Sequence, residues 1–444
     1  MPTNTDMLVA PRAAPVARLR AAAGVAPPLA AWAALVIAGH LLAAGLVAAD
    51  PLVHIGAPPL VGGFDIRIAW PVGIALALAA AAVAFGPALV ERLGWRALLG
   101  ASWVAGAAWI VALATASGGG PEALWAPLQT RYEYLAAVPS ARDLGGFLRG
   151  FTEALPGYPT HVRGHPPGMV ALLSLLDRAG LGGPRWAAAL VIGAGAVAAP
   201  AALVAMRALA GEQAARRAAL FVTLGPAAVW LGTSADAVFS GTLAAGIALL
   251  AVACTTNAGR PRAAAIALLA GMVLGAGLLL SYGLAPLGLL ALAVAIATRR
   301  PRELVVAGAG VAAVLLAFAA AGFWWTSGLQ ATQEQYAAGV SARRPYLDFL
   351  VISPAAFALA LGPAAFAGLT RLRGARVWVL PAAALAALAV AELSGLSKGE
   401  TERIWLPFAP WLLLASAALR APRGWLAAQL ALAIALQVGV RSPW

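Results

Sequence analysis

The sequence predicts an all-α, polytopic integral membrane protein of about 13 transmembrane helices, with a long outer loop that carries juxtamembrane helices. Three observations predict it. The 444 residues are 62% hydrophobic and only 11% charged, whereas soluble domains are roughly a quarter charged. Apolar runs of about 20 residues recur, the length that crosses ~30 Å of hydrocarbon at ~1.5 Å per residue. Arginines concentrate in short connections on one side of those runs, as they do in cytoplasmic loops. The same bias accounts for the net charge of +13 and sets nucleic acid aside as a partner. The single cysteine, Cys254, lies in an apolar run, which excludes a disulfide framework and a thiolate metal cluster.

In chain order, residues 1–23 read as a disordered cytoplasmic basic tail with Arg12, Arg18 and Arg20. The first apolar run is too long for a cleaved signal peptide and is read as retained. Spans are expected at 24–49, 67–90, 97–117, 185–207, 218–233, 237–256, 263–281, 284–298, 303–323, 347–370, 377–393, 404–419 and 424–440. With the N-terminus inside, the inner loops hold 18 arginines of the 30 basic residues. Against them stand Asp6, Glu91, Glu212 and Glu303. The other acids fall at the outer ends. Two outer segments are long, 118–184 and 324–346, and residues 441–444 form an outer tail. Polar material gathered on one face points to work done there. The expected location is the cell membrane, with an extracytoplasmic active face. Glycine-rich runs such as GAGAVAAP at 193–200 read as helix-packing faces in lipid.

The stretch YPTHVRGHPPGMVALL, 158–173, is the most polar chemistry in the chain. After its prolines, 167–178 predicts a helix too short to cross the bilayer. Two prolines suit a helix start. HVRGH precedes that start, and free amides with Arg163, His161 and His165 suit an anion such as phosphate. The alternative is an interfacial loop with solvated polar residues.

Four motifs in order resemble the GT-C superfamily of polyprenol-dependent membrane glycosyltransferases. The resemblance is to the branch with protein O-mannosyltransferases and the lipid A aminoarabinose transferase. The motifs are TRYEYL at 130–135 with HPPG at 165–168, TSADAVFSG at 233–241, SYGLAPLGLLAL at 281–292, and ERIWLPFAP at 402–410. The resemblance covers about 97–440 as the catalytic domain, which makes the two spans in 24–96 an N-terminal addition. The family's usual Asp or Asp-Glu pair is replaced here by Glu133 between Tyr132 and Tyr134.

The resemblance implies a sugar carried on polyprenyl phosphate and an envelope glycan, glycolipid or protein as acceptor, with membrane lipids around. Such chemistry, inverting at the anomeric carbon, needs a carboxylate to take the acceptor's proton and cations to hold the departing phosphate. Glu133 is the leading base, with Asp236 and Asp143 as competitors. Arg163, His165, Arg343, Arg344 and Arg403 are candidates for the donor phosphate. Tyr132, Tyr134, His161 and Tyr282 are candidates for substrate contact. His40 reads as a packing histidine, and Glu392, Glu400 and Glu402 as residues that solvate a loop or pair locally. No cofactor is implied: the carboxylates are oxygen ligands of the kind a divalent cation uses, but their spacing is not that of a metal site. The rival reading is a transporter or flippase of a lipid-linked or anionic substrate. A membrane acyl- or phosphotransferase using His161 and His165 is a third.

Overall fold

The computed structural model describes residues 14–444. It is built almost wholly of helices. Among the described residues eight helices are long and apolar enough to cross a membrane: Ala26–Ala49, Val72–Arg92, Trp95–Ala116, Pro184–Ala210, Asp236–Thr255, Arg260–Leu280, Pro301–Ala320 and Ala375–Leu393. The helix of the first span begins earlier, at Ala14. Residues 14–23, expected to be a disordered tail, are therefore helical, and 1–13 lie outside the described residues.

Asp236–Thr255 is the central helix. In its most apolar window 78% of residues are buried, against 11% for Ala26–Ala49 and Val72–Arg92. Those two stand at the lipid-facing rim. The centre packs between Pro184–Ala210 and Arg260–Leu280. Small residues permit the approach: a Cβ on Gly195 would stand 2.9 Å from Ala237 Cβ, and one on Gly241 would strike the Ala194 carbonyl. Lipid offers no hydrophobic drive between helices, so close backbone packing carries their association.

Among the described residues, five of the thirteen expected spans are not among these eight: 284–298 is a shorter apolar helix, 424–440 forms the single helix Pro422–Gly439, and three are broken. The 218–233 segment divides into Glu212–Thr223 and Ala228–Leu231 around Gly225 and Pro226. The 404–419 segment is a series of short turns, with Pro407 and Pro410 removing ladder amides. The 347–370 segment bends by 98° between Tyr346–Leu361 and Pro363–Leu369, and counts as a ninth span if taken whole. Its hinge, Gly362, has φ of +72°, a conformation that suits glycine. Gln429, fully buried, seals the break: its Nε2 donates to the Leu361 carbonyl at 2.8 Å and its Oε1 accepts from Ala364 N–H at 3.3 Å. Such breaks are tolerated at membrane depth only where the freed groups find partners.

One end of the bundle is pinned by arginine. Arg216 donates to Leu93 O at 2.9 Å and pairs with Glu212 at 2.7 Å. Arg207 pairs with Glu212 at 3.0 Å and lies over the Trp95 ring. At the other end lie the long connections. The stretch 117–183 folds into 3-10 turns and short helices, among them Gly168–Arg178, close to the expected 167–178. That helix buries Met169, Val170 and Leu173 and packs on the turn Tyr134–Ala141. The two N-terminal spans are part of the body: the first packs on Tyr346–Leu361, the second on Pro422–Gly439. After the first span, Gly63–Phe64 pairs antiparallel with Val440–Arg441. The final residues are thereby drawn across the polar end.

Candidate functional site

The polar end holds a buried centre assembled from four separate parts of the chain. Ser234 and Asp236 open the central helix: Ser234 Oγ donates to Asp236 Oδ2 at 2.5 Å, and Asp236 N–H donates back to Ser234 Oγ at 3.2 Å. A carboxylate in the first turn also suits the helix dipole. Arg403 comes from the short helix Thr401–Ile404. Its Nη1 pairs with Asp236 Oδ2, and its Nη2 with Glu400 Oε2 at 2.6 Å. Asp236 and Arg403 are 2% and 3% exposed, so the pair is desolvated and each charge depends on the other. Burial penalises the Arg403 charge, but Asp236, Glu400 and Glu133 together hold it protonated. Burial likewise opposes the Glu400 charge, yet Arg403 and His161 outweigh it and keep that carboxyl below its ordinary value.

The third part is the long outer loop. His161 N–H donates to Tyr132 O at 3.0 Å, which brings the His161 ring to the Glu133 carboxylate. Nδ1 lies 2.8 Å from Glu133 Oε1, with the oxygen bent away from the ring N–H direction. Glu133 is 4% exposed; His161 is the more open member of the pair. Tyr134 packs edge-on to His165 and Phe239. Burial first, then Asp236 and Glu133, push its hydroxyl well above the ordinary tyrosine range, so it stays a donor. The fourth part is the tail, whose Trp444 ring covers the Arg403 guanidinium at 4.5 Å and stands 6.2 Å from the His161 ring.

Several buried polar atoms here have no hydrogen-bond partner in the protein: Tyr134 Oη, Thr233 Oγ1, Arg403 Nε and Trp444 Nε1. All four are donors or can donate. Buried polar groups are nearly always paired, and this set stands beside a buried cation. Such an arrangement suits an anion with oxygen acceptors.

Glu133, Tyr134, His161, His165, Asp236 and Arg403 are thus brought together. Other expected residues are not. Asp143 is exposed at the start of the helix Leu144–Ala154, and no contact joins it to the centre. Tyr132 is exposed and accepts from Arg131 at 2.7 Å. Arg163 reaches Thr160 at 3.4 Å. Arg343 pairs at the surface with Asp50 at 3.0 Å. Arg344 is buried, but its guanidinium is occupied by the Val53 and Lys398 carbonyls; it anchors the first outer loop. Tyr282 packs against Trp325.

The start of the helix expected over 167–178 is packed into the protein. Pro166 to Val170 are buried, and Gly168 sits against the Leu279 carbonyl. Burial lowers the pKa of His165, and its Nδ1 lies 2.8 Å from the His161 carbonyl.

Sequence reasoning missed Trp444 and gave Glu400 and Glu402 no part in the site, although the Glu400–Arg403 pair is the local pairing it allowed. Glu402 is fully buried; Oε1 accepts from Val61 N–H at 3.0 Å, and Oε2 has no partner. Burial pushes its carboxyl up to about 7. The signal was present as two glutamates in GETERIW at the mouth of an apolar segment. Among the described residues no group of three or more His, Cys, Asp and Glu is placed to hold a metal ion.

Fold and site together define a multi-pass helical membrane protein with a buried, donor-rich polar centre at one end of its bundle. No family model and no curated protein matches the chain. Among solved structures, the crystal structure of the Archaeoglobus fulgidus oligosaccharyltransferase, in complex with zinc and sulfate, is similar over 63% of this chain, at 16% identity and a TM-score of 0.37. The match spans 45% of that chain, less than half its length. An overlap of that size is too small to transfer chemistry.

Proposed function

We propose that the protein is an inverting membrane glycosyltransferase. It moves a sugar from a polyprenyl-phosphate donor to an envelope glycan, glycolipid or protein at the outer face of the cell membrane. The observation that carries this reading is the Arg403 centre: a buried guanidinium, unpaired donors around it, and a carboxylate–imidazole pair alongside. In the reaction the acceptor oxygen loses its proton to the Glu133–His161 pair and attacks the anomeric carbon. The bond from that carbon to the phosphate oxygen breaks, and its electron pair leaves with the phosphate. Arg403 and the Tyr134 hydroxyl meet the charge that grows on those oxygens. Asp236 is engaged as the counter-ion of Arg403, which leaves Glu133 as the carboxylate of the proton-accepting pair.

The orientation belongs to this reading. If each of the thirteen apolar segments crosses, broken ones included, the centre falls on the face opposite the arginine-pinned end. Arginine retention at that end then supports an outer position for the centre.

The test is binding of undecaprenyl phosphate to the protein in nanodiscs. A charge-assisted contact is worth about 1.5–3 kcal/mol, so Arg403→Ala should weaken binding ~10–100-fold. Equal affinity in wild type and Arg403→Ala would move the phosphate elsewhere.

A further inference from the structure

We infer that His161, not Glu133, is the group that takes the acceptor's proton, and that Glu133 is the residue that positions it. The inference rests on the glycosyltransfer reading and assigns the proton to a particular atom. Glu133 lies behind the imidazole. Its backbone is fixed on both sides, by Glu133 N–H to Thr130 O at 3.1 Å and Ala136 N–H to Glu133 O at 3.3 Å. Its carboxylate approaches Nδ1 at 2.8 Å. The His161 main chain is fixed in turn, through its N–H to Tyr132 O at 3.0 Å. The ring therefore has a constrained place between Glu133 and Trp444.

A carboxylate on Nδ1 selects one tautomer, with the proton on Nδ1 and the lone pair on Nε2. Nε2 has no hydrogen-bond partner among the described residues and is not a buried unpaired atom. It is the face of the pair that an acceptor hydroxyl can reach. The balance is simple. The hydroxyl proton passes to Nε2, the oxygen bonds the anomeric carbon, and the phosphate leaves with the electron pair. The imidazolium so formed lies against Glu133, and Glu400 also feels its charge. The proton then returns to water. The bent contact between Nδ1 and Oε1 is no obstacle, because such bonds commonly straighten only in the reacting complex.

The experiment has two arms. In the first, protein with 15N-labelled histidine is placed in nanodiscs, and the ring nitrogens of its four histidines are read by NMR, with His161→Asn assigning the signal. The expected result is the Nδ1–H tautomer for His161 near neutral pH, lost when Glu133 is replaced by leucine. A dominant Nε2–H tautomer overturns the inference. In the second arm, turnover is followed with a panel of polyprenyl-phosphate hexoses and pentoses. With the donor that wild type uses, His161→Asn should lower kcat ~10²–10⁴-fold, Glu133→Gln less, and the double variant no further than His161→Asn. A larger loss from Glu133→Gln than from His161→Asn makes Glu133 the base and overturns the inference. Were the panel untouched by wild type, the glycosyltransfer reading itself would fall, whatever the tautomer.

Discussion

Arg403 and Asp236 lie 167 residues apart in sequence and meet as a buried ion pair. The pair joins the start of the central helix to the start of a broken apolar segment. It fixes the guanidinium in one place, beneath Trp444 and beside the Glu133–His161 contact.

Breaking that pair should cost stability. Asp236→Asn leaves Arg403 with Glu400, which is partly exposed, as its one directly paired carboxylate. Removing one partner of a buried pair costs about 3–5 kcal/mol. Thermal unfolding in detergent should show a clear drop in Tm for Asp236→Asn and none for Asp143→Asn. Equal melting of both variants would show that the pair carries little of the fold.

Glu402 makes a pH prediction of definite sign. Its folded pKa is raised from 4.5 to about 7, so between those values the folded state holds a proton the unfolded state has lost. The contribution to stability is present below about 4.5 and is lost as pH rises through 7. At ~1.4 kcal/mol per pKa unit, the full effect is on the order of 3 kcal/mol. Arg403 and Glu400 also act on this carboxyl. His165 has a lowered pKa and acts in the opposite direction as pH rises toward 6.5. The comparison is therefore wild type against Glu402→Gln. Wild type should lose stability relative to the variant from pH 5 to pH 8; a constant difference contradicts the assignment.

The hinge at Gly362 should be intolerant. A Cβ there would collide with the Gln429 side chain, and φ is +72°. Gly362→Ala should destabilise by about 1–3 kcal/mol. Gln429→Leu should cost a similar ~1–3 kcal/mol by stranding the Leu361 carbonyl and the Ala364 amide. Denaturation midpoints for the two single variants and the double variant check this. The double should cost less than the sum, since both disturb one contact.

Topology is tested by cysteine labelling. Ser140 lies in the long loop and Ala214 at the arginine-pinned end. In a Cys254→Ser background, Ser140→Cys should react with an impermeant maleimide in intact cells and Ala214→Cys only after lysis. Labelling of Ala214→Cys from outside contradicts the orientation.

Much of this was legible in the sequence, and the limits have physical causes. Apolar length alone marks the eight long helices, because lipid demands it. It cannot distinguish a straight span from one broken at Gly225, Gly362 or Pro407. The compensation lies elsewhere, as with Gln429 sealing Gly362 from 67 residues away. The short helix after Pro167 was legible from proline and length. Spacing could not reveal that Gly168, at its start, rests on the Leu279 carbonyl. Asp236 stood out as an ionisable residue at the start of an apolar span, where charge is costly; Glu133 and Arg403 stood out through the motifs TRYEYL and ERIWLPFAP. Arg344 stood out as an outer-segment cation and proved to be a loop anchor. Trp444 carried no signal, because its place depends on the pairing of Val440–Arg441 with Gly63–Phe64.

The most direct measurement follows both lipid and sugar in proteoliposomes. Labelled polyprenyl-phosphate sugars are supplied on the face that carries the 117–183 loop, together with envelope lipid and glycan acceptors. The account predicts that label appears in an acceptor while polyprenyl phosphate is released one for one, and that Arg403→Ala abolishes both. Movement of intact donor to the opposite leaflet, with no release of polyprenyl phosphate, would contradict it and identify a flippase.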